Sequence, residues 1–293
     1  MPEDGLRSFA GAVALITGGA SGLGRALGEG LAQRGAEVVL ADRQIDLARE
    51  VADAIVATGG RARAVELDVR RAEDFQQVVG EVAERSGRID FLFNNAGIAI
   101  IGEVRDYDFD DWHQVVDVNL NGVYYGIRAV YPILLRQGYG HIINTASTAG
   151  LIPTPMAGSY CATKHAVVGL SSVLRIEAAR HGVRVSALCP GPVRTPILTG
   201  GAFGRVLYGI EREKVLHWWE KLRPIDPPEF ARQTLKAVAK NEGVIVVPRR
   251  LKPIVALTRL SSRLSLWLMS LGHRDTMNSF PEIDANQPRR PGV

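Results

Sequence analysis

Short apolar runs and longer amphipathic stretches alternate along most of the chain. Runs rich in Val, Ile and Leu fall at Ala12–Thr17, Glu37–Ala41, Ala62–Leu67, Ile89–Phe93, His141–Thr145, Val183–Leu188 and Val244–Val247. Each is short and mostly apolar, the pattern of strands covered on both faces. Between them, Leu23–Arg34, Leu47–Thr58, Asp74–Ser86, Trp112–Gln137 and Ser159–His181 carry apolar residues at helical spacing. Strand, helix and strand in repetition imply right-handed crossovers and an α/β fold built on a doubly wound parallel sheet of about seven strands. In such a sheet ligands bind beyond the carboxyl ends of the strands, so the residues just after each strand are where chemistry is expected.

Composition changes this picture little. A hydrophobic content of 46% with 23% charged residues is that of an ordinary soluble globular protein. Met1–Gly11 contains Glu3 and Asp4 and lacks the apolar core of a signal peptide. No run of about eighteen uncharged apolar residues is present, so the expected location is the cytoplasm. Cys161 and Cys189 read as buried, reduced thiols. The net charge of +4 is informative only in its distribution: Arg249, Arg250, Lys252, Arg259, Arg263 and Arg274 more than account for it, and no Asp or Glu lies between Gly243 and Arg274. No nucleic-acid reading motif accompanies that basic stretch, so nucleic acid is not an expected partner.

After the first strand comes Thr17-Gly18-Gly19-Ala20-Ser21-Gly22-Leu23-Gly24, opening into a helix. Glycines permit a tight turn and let backbone N–H groups approach a pyrophosphate, whose charge the helix N-terminus stabilises. The spacing Gly-x-x-x-Gly-x-Gly differs from the commoner dinucleotide pattern, and the absence of a following Lys-Ser/Thr excludes a nucleotide-triphosphatase loop. Asp42 ends the second strand, where a carboxylate can accept hydrogen bonds from ribose hydroxyls and repels an added phosphate. That favours NAD. Arg43, next to it, could pair with a 2′-phosphate and keeps NADP open.

Ser147 follows the fifth strand, and Tyr160-Cys161-Ala162-Thr163-Lys164 opens the next helix. Four residues make about one turn, so Tyr160 and Lys164 share a face. An ammonium ~4–5 Å from the phenol, at an effective dielectric of ~20, favours the phenolate by ~3–4 kcal/mol. That would bring a group of ordinary pKa about 10 toward neutrality, where it could exchange a proton between alcohol and ketone. Asn119 lies within the long helix that precedes the fifth strand.

Taken together, Thr17–Gly24, Leu67-Asp68-Val69, Asn94-Asn95-Ala96-Gly97, Asn119, Ser147, Tyr160, Lys164 and Pro190-Gly191-Pro192-Val193-Arg194-Thr195 resemble the short-chain dehydrogenase/reductase family, in its single-domain branch. The likeness extends from about residue 11 to residue 200. It implies a Rossmann-type three-layer α/β/α fold and a nicotinamide-dependent oxidoreductase. Gly18, Ser21, Gly22, Leu23 and Gly24 would hold the pyrophosphate, and Asp42 and Arg43 would face the adenosine ribose. Asp68 and Val69 would contact the adenine, with Asn94, Asn95, Ala96 and Gly97 beside the cofactor. Ser147 would orient the substrate oxygen and Tyr160 exchange its proton. Lys164 would bind the nicotinamide ribose and lower the tyrosine pKa, and Asn119 would hold a water relaying protons to solvent. Val193 and Thr195, with Pro190 and Gly191 before them, would fix the carboxamide. Thr145-Ala146 departs from the more usual apolar-Ser pair and leaves Ser147 in place. A nucleotide-sensing scaffold without chemistry would be expected to lose some of the four catalytic residues, and this chain keeps them all. No metal is expected. A homodimer or homotetramer is.

Residues 1–248 therefore read as the catalytic domain, with a substrate lid over 195–228. Leu198, Phe203, Leu207, Trp218 and Trp219 make that lid apolar and point to a hydrophobic alcohol or ketone, lipid-like or steroid-like in character. Glycines at 200, 201, 204 and 209 suit a segment that opens and closes. Over 249–277 the sequence reads as a basic amphipathic helix, with Leu257, Leu260, Leu264, Trp267, Leu268 and Leu271 set against Arg259 and Arg263. Two readings stay open: a peripheral membrane contact through 249–271, or packing on the parent domain or a neighbouring subunit. Residues 278–293 read as a polar, loosely ordered tail.

Overall fold

The computed structural model describes residues 5–199 and 203–285. Seven strands pair in parallel: β1 (Val13–Thr17), β2 (Glu37–Asp42), β3 (Arg61–Glu66), β4 (Phe91–Asn94), β6 (Gly140–Thr145), β7 (Val183–Pro190) and β9 (Val244–Val247). Their spatial order is β3-β2-β1-β4-β6-β7-β9. All seven runs marked by their apolar pattern are strands of this sheet. β1, β4 and β6 are buried along their whole length, because helices cover both faces. β3, at the edge, keeps its charged ends Arg61 and Glu66 exposed, which guards against edge pairing.

Helices α1 (Gly5–Ser8), α2 (Gly22–Ala32), α3 (Ile45–Ala57) and α9 (Pro227–Ala239) cover one face, with Leu27, Leu31, Phe230 and Leu235 in its core. On the other face α4 (Ala72–Ser86), α6 (Gly122–Gln137) and α7 (Gly158–Ala179) bury Phe75, Val82, Val130, Leu134 and Val167. The long helical stretch expected over Trp112–Gln137 is interrupted. α5 (Phe109–Val116) starts at a capping box, in which the Asp111 N–H donates to Asp108 Oδ1 at 2.7 Å, and leads into a π-helical turn over Asp117–Asn121 before α6. The wider turn directs Asn119 inward, where it is fully buried.

Strand order reverses between β1 and β4, which opens the crevice above their carboxyl ends. A second, two-stranded parallel sheet sits over it: β5 (Ala99–Ile101) with β8 (Gly204–Val206), registered Ala99 to Gly204. Neither short strand was legible in the apolar pattern. β8 and α8 (Arg212–Glu220) both fall in the segment 195–228 expected to form a lid.

The carboxyl-terminal region differs from expectation in three ways. It forms two helices, α10 (Lys252–Leu260) and α11 (Ser262–Ser279), broken at Ser261, whose side chain accepts from the Leu264 N–H at 3.3 Å. Leu257, Leu260, Trp267 and Leu271 point outward, contrary to the reading in which they pack on the parent domain, while Leu264 and Leu268 are half-buried and Val255, Thr258, Ser265 and Phe280 are buried. The expected loose tail is corrected for residues 278–285. α11 runs on to Ser279, α12 (Glu282–Ala285) follows, and Phe280 and Ile283 pack with Tyr208 and Val215 of the lid. Residues 1–4, the rest of the tail from 286, and lid glycines 200 and 201 lie outside the described residues. Among the described residues no helix is long and apolar enough to cross a membrane.

Candidate active site

The glycine turn joins β1 to α2. Gly18 and Gly22 have φ of +67° and +51°, and a Cβ at Gly24 would overlap the Gly18 carbonyl oxygen, so no larger residue fits this path. Ser21, in extended conformation at the start of α2, makes no side-chain capping bond. The first N–H groups of the helix are therefore left to an anion. Asp42 ties the turn to the end of β2: Oδ2 accepts from the Ala20 N–H and Oδ1 from the Gln44 N–H, each at 3.0 Å. Two backbone donors hold this buried carboxylate rigid, while Arg43 beside it is exposed. Asp68 is gripped by Arg70 through Nε at 2.9 and 3.0 Å, and that guanidinium holds its carboxyl below the usual range.

Thr17 fastens the next segment. Its Oγ1 accepts from the N–H groups of Asn95 and Ala96 at 2.9 and 3.0 Å, and Asn95 Nδ2 donates to the Thr17 carbonyl at 3.0 Å. Asn94, buried below, donates to Asn144 Oδ1 at 2.9 Å and so bolts β4 to β6. These bonds brace the sheet where the crevice opens.

Ser147 ends the turn after β6. Its Oγ accepts from the Ala149 N–H at 3.1 Å and donates to the Pro190 carbonyl at 3.3 Å. Lys164 is buried, its Nζ donates to the Thr145 carbonyl at 2.8 Å, and it stands 5.4 Å from the centre of the Tyr160 ring. Loss of hydration pulls the Lys164 ammonium from 10.5 down to about 8. The same burial pushes the Tyr160 phenol above its ordinary value, and hydrogen bonding with Ser147 draws it part of the way back. In the protein on its own, desolvation therefore sets the direction, opposite to that expected from Lys164.

Asn119 does not reach the cavity surface. Its Oδ1 accepts from the Ile98 N–H and its Nδ2 donates to the Ile98 carbonyl, both at 2.9 Å. It closes on the site from behind Gly97, where a Cβ would stand 3.3 Å from Asn119 Oδ1 and 3.4 Å from Lys164 Nζ. Glycine keeps the space between those two polar atoms clear.

One cavity of about 600 Å³ collects these pieces. Gly18, Ser21, Gly22, Leu23, Asp42, Arg43, Asp68, Val69, Asn95, Ala96 and Gly97 line one part. Ser147, Tyr160 and Lys164 line the same cavity, as do Pro190, Gly191, Val193 and Thr195, the last beside Gly22 of the turn. Leu198, Phe203, Trp218 and Trp219, from the segment expected to form a lid, also line the cavity. Leu207 does not; it packs where a Cβ on Gly102 would lie. Sequence reasoning missed the far wall, made by Ile254, Val255, Met269, His273, Thr276 and Phe280 from the carboxyl-terminal helices. Met269, His273, Thr276 and Phe280 recur at helical spacing, a signal that marks a face but not what that face covers. His273 brings an imidazole, with an unpartnered Nδ1, to a wall that is otherwise largely apolar.

A glycine turn for pyrophosphate, a carboxylate at the end of β2 and a Ser–Tyr–Lys cluster on one crevice define an oxidoreductase of the Rossmann type. The family model for short chain dehydrogenase matches residues 12–201, and the chain belongs to that family. It is 40% identical over 193 residues to a cyclohexanol dehydrogenase of Acinetobacter sp. (strain SE19), covering 65% of this chain and 76% of that protein. Among solved structures it resembles a short chain dehydrogenase/reductase from Burkholderia phymatum in complex with NAD, with TM-score 0.76 and 31% identity over 88% of this chain and 96% of that one. It also resembles a putative NAD(P) dependent gluconate 5-dehydrogenase from Beutenbergia cavernae with bound NADP at low occupancy, with TM-score 0.72, 31% identity, and coverage of 82% and 97%.

Proposed function

We propose that this protein interconverts a hydrophobic secondary alcohol and its ketone, with NAD as the preferred cofactor. The observation that carries the reading is the convergence of Ser147, Tyr160 and Lys164 on the apolar cavity, with Asn119 and Gly97 behind them. A bound nicotinamide supplies or accepts the hydride. The glycine turn and the α2 N-terminus would hold its pyrophosphate, Asp42 its adenosine ribose, and Lys164 the ribose nearer the substrate. Ser147 Oγ, already both donor and acceptor, can hold the substrate oxygen beside the phenol. Tyr160 gives its proton to the ketone oxygen in reduction and takes the hydroxyl proton in oxidation. A phenol kept protonated by burial is a ready donor. As a base it needs more positive charge nearby, which an oxidised nicotinamide brings.

The preference for NAD rests on Asp42, whose fixed carboxylate would meet a 2′-phosphate with like charge. The exposed Arg43 on the same wall supports NADPH-dependent reduction as the second reading. For the substrate, the apolar lid and far wall favour a ring or chain without charge, and a cyclic secondary alcohol is the first to try. The test is a panel of cyclic alcohols, hydroxy-lipids and steroids assayed with NAD and NADP side by side. Turnover is expected with NAD on at least one member, and Tyr160→Phe is expected to lower it by up to about 10⁴-fold. Retention of most turnover by that variant would overturn the mechanism.

A further inference from the structure

α10 and α11 have two faces. The inner face closes the cavity through Val255, Met269, His273 and Thr276. On the outer face Leu257 is 49% exposed, Leu260 83%, Trp267 56% and Leu271 41%, a concentration of exposed large apolar side chains of the kind that marks contact surfaces. Arg263, Trp267, Leu271 and Arg274 follow one another at intervals of four, four and three residues, which sets them on a single stripe of α11. All four are exposed. No carboxylate occurs from Gly243 to His273; Asp275, four residues beyond Leu271 and exposed, closes the stripe at its end. Leu222 and Ile254 both line the cavity and are 43% and 51% exposed, so the cavity opens at an apolar rim, with Leu257 one turn from Ile254 along α10.

We propose that this face docks on an anionic phospholipid surface, and that apolar substrate enters the cavity from the bilayer between Leu222 and Ile254. Leucines and a tryptophan would sink to the level of the acyl boundary, while Arg263 and Arg274 reach the headgroups. The charge pattern suits this occupant, since six basic residues and no carboxylate occur from Arg249 to Arg274. A two-fold contact would set this largely basic stripe against itself, with Asp275 as its single carboxylate. Docking of this kind needs no spanning helix. The substrate route rests on the reading of the cavity given above; the docking itself does not.

The experiment is co-sedimentation of the full-length protein, without substrate or cofactor, with vesicles of phosphatidylcholine alone or mixed equally with phosphatidylglycerol. Binding to the mixed vesicles, weakened by salt, is expected. Arg263→Gln should reduce it about fivefold. Leu260→Asp and Trp267→Asp should each reduce it tenfold or more. Neither of those side chains lines the cavity, so both variants should keep the wild-type circular dichroism and thermal midpoint. The wild type remaining in solution with both vesicle types would overturn the proposal. So would a wild-type oligomer in lipid-free buffer that Leu260→Asp or Trp267→Asp dissociates, since the face would then be an interface between copies. Because vesicle binding is read without turnover, its failure leaves the oxidoreductase reading intact, and the reverse holds.

Discussion

The two ends of β6 bury a base each, by the same physics and to different effect. At the start of the strand His141 is fully buried, with Nε2 2.8 Å from Ser186 Oγ, and burial together with Arg184 and Arg175 pulls it from 6.5 down to about 3. At the far end the Thr145 carbonyl holds Lys164, which burial pulls down to about 8. His141 is shut between strands beside Phe91. Lys164 stands on the wall of the cavity with Tyr160 and Ser147. A perturbed base therefore reports desolvation, and chemistry requires in addition a cavity that a substrate can enter. The loop end of the sheet carries the site, and the other end carries the fold.

Several variants break or sharpen that contrast. Lys164→Met should reduce turnover by about 10³-fold, since Lys164 supports the group that moves the proton. In the wild type, the unfolded chain holds the Lys164 proton between pH 8 and 10.5 while the folded chain does not, so stability rises with pH through that window. Below it the buried charge costs about 3 kcal/mol, and Lys164→Met should recover that amount in urea titrations at neutral pH. His141→Gln should leave turnover unchanged and act on acid stability alone. Between pH 6.5 and 3 the unfolded wild type takes up a proton that the folded protein refuses, so stability falls as pH falls. The variant should be spared a loss on the order of 4 kcal/mol across that range. Equal losses of turnover in these two variants would erase the distinction between the ends.

Smaller effects refine it. Ser186 Oγ pairs with His141 Nε2 and donates to the Glu242 carbonyl at 2.7 Å. Ser186→Ala should cost about 1–3 kcal/mol, read as a lower thermal midpoint at constant turnover. At the other end Gly97→Ala puts a methyl between Asn119 Oδ1 and Lys164 Nζ, with contacts only slightly too close. A drop in turnover of about tenfold is expected with little change in midpoint; the opposite split would place Gly97 in the fold and not in the site.

Much of the site was legible in the chain because its requirements are local or steric. Tyr160 and Lys164 need one helical turn, and the turn at Gly18–Gly24 needs residues without a Cβ. Ser147 needs only to follow a strand. Asp42 was found as the carboxylate ending β2, although its two bonds to backbone N–H groups were not foreseen. Leu207, grouped with the lid by its apolar side chain, turned out to pack on Gly102. Periodicity placed an amphipathic helix at the carboxyl terminus but could not show that its more polar side, with Ser265, His273 and Thr276, is the one turned inward, because Leu and Trp outweigh Ser, Thr and His on any hydropathy scale.

By itself, then, the sequence determined the seven strands, their alternation with helices, the glycine turn and the placement of Ser147, Tyr160 and Lys164 at one crevice, all written in spacing that the backbone reads within a few residues. Only the tertiary structure decided what lies above the crevice. β5 pairs with β8 across about a hundred residues of chain, and the carboxyl-terminal helices bring Met269, His273 and Phe280 to the cavity that Tyr160 lines. Contacts of that separation leave no local signature. They form because Phe280, Ile283, Tyr208 and Val215 bury one another, and the free energy of that burial depends on which surfaces meet.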